Sequence, residues 1–326
     1  MPSILDTPPP EVSADVAGLR AALDAAIPAR MLDRNLLIAT WNLRAFGDLT
    51  EKWQSGAGDS PKRDLHSLLC IAEILSRFDV VAIQESRSNL KALRHTLKAL
   101  GRNWGLILTD VTEGQAGNGE RLAFIFDTRR VRPSGLACEL VVPEERLAQV
   151  GAGALKRQFA RTPYAVSFEA GGKTFILVTL HVLYGSAPAD RVGELKTIAG
   201  WMAEWAKDVN AWDHSLIALG DFNIDRRSDE LYQAFTSTGL KAPEDLNKAP
   251  RTLFSDPRQP DTSNFYDQIA WFTAPSGAPM LSLKYQKGGS FDFSTCCLRN
   301  RNLARDTLSW HISDHFPLWA EFGVRD

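Results

Sequence analysis

The chain has 326 residues, 44% apolar and 23% charged, with a formal net charge of −2. These are values of a globular protein able to bury a sizeable core, and they argue against a chain that relies on overall basicity to hold nucleic acid. No run of roughly 18 apolar residues occurs, which excludes a membrane-spanning helix.

Residues 1–10 read as a flexible start containing Pro8, Pro9 and Pro10. Val12, Val16, Leu19, Leu23 and Ile27 then recur every three or four positions, which predicts a short amphipathic helix over 11–27, ended by Pro28. It is expected to pack on the body and to carry no chemistry, so residues 1–35 are set apart from a catalytic domain over 36–326. Strand-like runs follow at Leu36–Trp41, Val80–Ile83, Leu122–Phe126, Tyr164–Phe168, Thr174–Leu180, Leu216–Leu219, Ile269–Phe272 and Pro317–Phe322. Helices are expected near 63–77, 88–99, 190–208 and 228–238. Strands mixed with helices, neither alternating nor segregated, predict a sandwich of two sheets with helices outside. The loops Thr50–Pro61 and Lys241–Asn264 are candidate substrate-facing insertions. Cys70, Cys138, Cys296 and Cys297 show no zinc spacing and read as thiols. Thiols and the lack of a basic, apolar leader after Met1 predict a cytoplasmic protein.

Polar residues punctuate the strand ends. Asn42, Glu85, His181, Asp221 and Asn223 close strands, while Asp267, Asp314 and His315 precede them. Polar residues at strand ends gather along one edge of a sandwich. The types suit hydrolysis at phosphorus. Magnesium takes hard oxygen ligands, here Glu85, Asp221 and Asp314, with Asn42 and Asn223 offering amides to the ion's surroundings or the phosphate. Two histidines can act as general base and general acid, each steadied by a carboxylate.

The motifs WN (41–42), QE (84–85), LH (180–181), GDFN (220–223), YDQI (266–269) and SDH (313–315) occur in the order of the endonuclease/exonuclease/phosphatase superfamily, which residues 36–323 resemble. Within it the chain is similar to pancreatic-type deoxyribonucleases. NLRAFGD (42–48), QESR (84–87), GERLAFIF (119–126), FARTP (159–163) and FDF (291–293) each have a counterpart there. The resemblance implies an α+β fold, a four-layer α/β sandwich of two mixed sheets flanked by helices. It implies two His–carboxylate pairs, His181 with Glu120 and His315 with Asp267. Glu85 would be the metal centre, with Asn42, Asp221 and Asp314 around it. Asn223 would hold the scissile phosphate, and Arg44, Arg87 and Arg161 would touch the backbone. Asn118 stands where those nucleases place a groove-reading tyrosine, and their paired structural cysteines are absent.

The expected activity is Mg²⁺-dependent phosphodiester hydrolysis, with Mn²⁺ able to substitute, by a monomeric endonuclease acting on DNA. A phosphatase or lipid phosphodiesterase on the same scaffold is the alternative. A catalytically silent scaffold is a third reading, opposed by the complete set of histidines and carboxylates. No loop rich in apolar aromatics suggests a membrane. Trp201, Trp205 and Trp212 read as core, and Arg299, Arg301 and Arg305 as a solvated face or a backbone contact.

Overall fold

Two six-stranded sheets face each other, and the apolar alternation along their central strands explains why. In β1 (Asn35–Phe46), Leu36 and Ile38 point to one side while Leu37, Ala39 and Trp41 point to the other, and all are buried. In β8 (Ser215–Asp221), Ile217 and Leu219 oppose Leu216 and Ala218 in the same way. A strand buried on both faces needs cover on both. The inner faces meet across a core containing Phe124, Phe168, Phe175, Ile217 and Trp271, and helices cover the outer faces.

The computed structural model describes residues 1–112, 118–141, 159–185, 187–211, 215–256 and 264–325. Among them the strands are β1, β2 (Val80–Arg87), β3 (Trp104–Leu108), β4 (Glu120–Asp127), β5 (Arg132–Glu139), β6 (Tyr164–Ala170), β7 (Lys173–His181), β8, β9 (Leu240–Lys241), β10 (Asp267–Phe272), β11 (Lys284–Ser290) and β12 (Leu318–Gly323). The helices are α1 (Pro10–Ala26), α2 (Leu65–Leu75), α3 (Lys91–Leu100), α4 (Ala189–Ala211), α5 (Glu230–Thr236), α6 (Glu244–Lys248) and α7 (Arg305–His311). Strand order is β11-β12-β1-β2-β4-β3 in one sheet and β5-β6-β7-β8-β10-β9 in the other. Each sheet has one parallel pair, β1 with β2 and β7 with β8, amid antiparallel neighbours. Parallel neighbours need a crossover; α2 supplies the first and α4 the second. The result is the expected four-layer sandwich.

All eight expected strands form. The four that the sequence reading missed, β3, β5, β9 and β11, are the outermost strands of the two sheets. The edge strands β5 and β11 keep polar, half-exposed residues and so lack the apolar run that marks a central strand; β9 is two residues long, and β3 is apolar but short and only half-buried. The short α6 and α7 were also missed.

Helix α1 buries Val12, Val16, Leu19 and Leu23, and Leu19, Leu23 and Ile27 join the core beneath the first sheet. Trp201 and Trp205 are half-buried against the core beneath the second sheet; Trp212 lies outside the described residues. Arg301 is paired with Asp64 at 2.8 Å with its side chain 9% exposed, so the basic stretch is in part an internal fastening. All four cysteines are free. No described helix is long and apolar enough to cross a membrane.

Candidate active site

The parallel pairs end at the same edge of the sandwich, and the site forms there. In the second sheet a single row crosses three strands: His181 of β7 pairs with Asp221 of β8, which pairs with Asp267 of β10. In the first sheet Asn42 of β1 is level with Gln84 of β2, and Arg87 is level with Glu120 of β4. The last motif lies in the turn before β12. It is tied down by Trp41 Nε1, which donates to the His315 carbonyl at 2.8 Å, and by Ser313 Oγ, which donates to the Asn42 carbonyl at 2.6 Å. Beneath the row, Gln84 Nε2 donates to Thr179 Oγ1 at 2.9 Å and joins the two sheets.

Two imidazoles converge on one carboxylate. His181 Nε2 lies 3.7 Å from Asp221 Oδ2, and His315 Nε2 lies 3.9 Å from the same atom. The opposite ring nitrogens meet their own acids: His181 Nδ1 is 2.8 Å from Glu120 Oε2, and His315 Nδ1 is 2.6 Å from Asp267 Oδ2. Both expected His–carboxylate pairs therefore exist in space. Burial opposes a charged Glu120, yet His181 and the Arg161 guanidinium outweigh it and hold the carboxyl down at about 2. Burial works against a charged His315, but Asp267 in contact and Asp221 nearby push the imidazole well above its usual range. Burial raises Asp267 itself. Facing atoms of Asp221, Asp267 and His315 lie within 4.8 Å of one another. Because Nδ1 of His315 is already engaged by Asp267, this trio reads as a proton-holding chain rather than a metal cage.

Asp221 is itself fixed. Asn42 Nδ2 donates to its Oδ2 at 2.9 Å, and the Asn223 backbone N–H donates to its Oδ1 at 2.9 Å. Asn223 Nδ2 donates to the Val182 carbonyl at 2.6 Å, which turns this amide onto the protein. Gly220 has φ +143°, and a Cβ there would sit 2.1 Å from the Leu180 carbonyl oxygen, so the strand pair can close only on glycine. Ala45, Glu85 and Asn223 also hold positive φ (47°, 60° and 50°); non-glycine residues rarely do, and such strain collects at functional sites.

The hard oxygen donors lie beside this centre. Glu85 Oε2 accepts from the Ala45 N–H at 2.8 Å and has Arg87 Nη2 at 3.5 Å. Asp314 Oδ2 has Arg44 Nη1 at 3.7 Å. Asn42 Oδ1 is buried with no partner. An orphaned amide oxygen next to two partly exposed carboxylates, with no sulfur donor, is a donor set that fits magnesium or manganese.

The three expected phosphate-contacting arginines separate. Arg44 is a quarter exposed and stacks 3.8 Å over the ring of Trp310, which is 48% exposed. Arg87 reaches Glu85, Glu120 and the Asn118 carbonyl. Arg161 is buried, its Nε 2.5 Å from Glu120 Oε2, so its charge acts first on that acid. Its Nη1 is nevertheless a buried donor without an acceptor.

Several contributors escaped the sequence reading. Tyr266 stacks on His315 with ring centroids 5.5 Å apart; its place beside Asp267 in YDQI was the available signal. Buried Arg63, at the end of the Thr50–Pro61 loop, donates to the carbonyls of Arg44, Ala45 and Ile312 and buttresses the site from behind. Thr252 bridges to His315 and the Leu253 N–H donates to the Asp314 carbonyl, so the Lys241–Asn264 stretch does approach the site; residues 257–263 lie outside the described residues. Glu194 of α4 is buried behind His181, and burial pushes it up to about 7. Tyr184, Phe254 and Trp310 are the large aromatics left exposed among the described residues, and each is in contact with, or adjoins in sequence, a segment of this site. Nothing local in the sequence distinguished them from core aromatics.

Comparison with known proteins bears on this arrangement. Residues 39–315 match the model of the Endonuclease/Exonuclease/phosphatase family. The chain is 27% identical over 300 residues to a deoxyribonuclease of Thioalkalivibrio sp. (strain K90mix), spanning 88% of this chain and 71% of that protein. It is 26% identical over 314 residues to Deoxyribonuclease-1 of Sus scrofa, spanning 93% and 96%. Among solved structures it superposes on a mannosyl-6-phosphatase of Bacteroides thetaiotaomicron VPI-5482 with a TM-score of 0.56 at 20% identity, covering 88% of this chain and 99% of that one. This last likeness is one of fold.

Proposed function

The chain belongs to the endonuclease/exonuclease/phosphatase family, whose members hydrolyse phosphoester bonds, and from that premise we propose that it is a divalent-metal-dependent endonuclease hydrolysing DNA. The observation that carries this reading is the convergence of His181 Nε2 and His315 Nε2 on Asp221 Oδ2, each backed by its own carboxylate. The two nitrogens are no farther apart than the sum of 3.7 and 3.9 Å, a gap a phosphoryl group fills. Hydrolysis removes one proton from water and delivers one to the leaving oxygen. Two imidazoles on either side of the phosphorus divide these tasks, one entering neutral and the other charged. Glu120 and Asp267 orient the rings and stabilise their charged forms. Asp221, held by Asn42 and Asn223, fixes the approach of both.

Glu85, Asn42 and Asp314 would hold Mg²⁺, with Mn²⁺ able to replace it. When bound, the ion neutralises charge developing on the phosphoryl oxygens. The orphaned Arg161 Nη1 offers a buried donor to one such oxygen, and Arg44 and Arg87 extend the cationic track along the backbone. The two deoxyribonuclease relatives favour DNA. Four free cysteines favour a reducing, cytoplasmic setting, and a monomer suffices because every group of the site comes from this chain.

A net charge of −2 favours a second reading, hydrolysis of a small phosphomonoester, for which no long cationic surface is needed. One panel separates the two. The purified protein is incubated with plasmid, single-stranded DNA, RNA and phosphomonoesters, with Mg²⁺ or Mn²⁺ and with chelator. Metal-dependent nicking of plasmid is expected. Turnover of phosphomonoesters alone would replace the nuclease reading.

A further inference from the structure

The aromatic side chains left open to solvent are not scattered. Among the described residues they are Tyr184, Phe254 and Trp310, 56%, 49% and 48% exposed, and all three adjoin the active edge. Trp310 lies just before the SDH motif, on α7, where Leu308, Ser309 and His311 are buried and the indole is not. Phe254 follows Leu253, whose N–H donates to the Asp314 carbonyl at 2.8 Å. Tyr184 comes shortly after His181 and sits edge-on to Tyr266, with ring centroids 6.4 Å apart; Tyr266 is the ring that stacks on His315. A single exposed ring says little. Exposure gathered at the rim of one site is the pattern of a binding surface.

Two of these rings are braced by arginines. The Arg44 guanidinium lies over the Trp310 ring, its Cζ 3.8 Å from the centroid, and Arg44 Nη1 donates to Ser309 Oγ at 2.6 Å. The same Nη1 is 3.7 Å from Asp314 Oδ2, so one side chain separates the indole from an oxygen donor of the site. The Arg191 guanidinium lies over the Tyr184 ring at 4.8 Å and is itself held by Asp225 at 2.9 Å and by the Asn223 carbonyl. Each arginine covers part of a ring and leaves about half of the residue to solvent. A ring braced in this way loses little freedom when a flat partner lies on it.

Resting on the nuclease reading above, we propose that the preferred substrate is single-stranded DNA, with Trp310 and Tyr184 as platforms on which unpaired bases near the scissile phosphate stack. A base inside a duplex has both faces covered by its neighbours, so it must leave the stack before an indole can take it. An unpaired base offers its face without that cost. Such stacking is tolerant of sequence, since every base has a π-face. It also supplies affinity that a chain of net charge −2 does not draw from overall basicity. The rings select the strand and the histidines cut it. Nicking of a supercoiled plasmid stays compatible with this preference, because negative supercoiling favours opening of the duplex.

Three labelled oligonucleotides of one length test the proposal: a single strand, the same strand in a duplex, and a strand of abasic sugar phosphates. Binding is read by fluorescence anisotropy in chelator, and cleavage with Mg²⁺. The wild type should bind and cut the single strand about tenfold or more better than the duplex or the abasic strand. Trp310→Ala and Tyr184→Ala should each weaken single-strand binding and raise its KM by about tenfold, so that the advantage of the base-bearing strand over the abasic one collapses. Trp310→Phe should recover most of the loss. Equal or better use of the duplex by the wild type, or an advantage over the abasic strand as large in Trp310→Ala as in the wild type, overturns the proposal and leaves the nuclease reading standing. Loss of single-strand binding in Trp310→Ala, with no DNA cut by any form of the protein, supports the platform and removes the nuclease reading instead.

Discussion

His315 and His66 each have a buried carboxylate within 3.0 Å, His315 with Asp267 at the strand ends and His66 with Asp15 beneath α1. As isolated pairs they are nearly the same object. Their surroundings differ in every respect that matters for chemistry. Around His315 stand a second imidazole, a carboxylate shared between the two, orphaned Asn42 and Arg161 atoms, and partly exposed Glu85 and Asp314. Around His66 stand the Cys70 thiol and the side chains of the core under the first sheet. A His–carboxylate pair therefore states that an imidazole is oriented. What the imidazole does depends on its surroundings: a partly exposed set of oxygen donors near His315, the sealed core around His66.

The largest effect that would break this contrast is metal removal. Excess chelator should reduce nuclease activity to background, and Mg²⁺ or Mn²⁺ should restore it; full activity with chelator present would remove Glu85, Asn42 and Asp314 from the mechanism. Next, His181→Ala and His315→Ala should each lose about 10²–10⁴-fold in turnover. The double variant should lose less than the product, because the groups act as a unit; near wild-type rates in either would contradict the two-imidazole mechanism. Glu120→Gln and Asp267→Asn should each lose less than their partner histidine, measured in the same assay.

The sealed pair should answer in stability instead. His66→Ala leaves Asp15 as a buried charge without its partner, which typically costs about 3–5 kcal/mol. Chemical denaturation should register that loss, while turnover per folded molecule stays at the wild-type level. A fall in turnover without a fall in stability would erase the distinction between the two regions.

The smallest effect sharpens the contrast through pH. The Glu120 carboxyl is lowered on folding from 4.5 to about 2. A depressed acid contributes stability that is complete above the unfolded value and is lost as pH falls through the folded one. The stability gap between wild type and Glu120→Gln should thus be constant above about pH 4.5 and close progressively toward pH 2. An unchanged gap across that range would mean that His181 and Arg161 do not hold the acid as described.

The sequence alone determined the central strands and the motifs that end them. A strand buried on both faces must be apolar along its length, so the polar residue that stops it is conspicuous, as at His181 after Leu180 or Asp221 after Leu219. The edge strands β5 and β11 carry no such mark because only one side of each is paired and their residues stay polar. Tertiary structure decided which candidates meet: it set Arg161 on Glu120, turned the Asn223 amide onto Val182, and left Trp310 exposed under Arg44. It also brought Asp15 of α1 to His66 and Cys70 of α2. No local spacing links Asp15 to α2. Local spacing records which residues share a face of one element. Only the packing of α1 and α2 on one another brings those faces together.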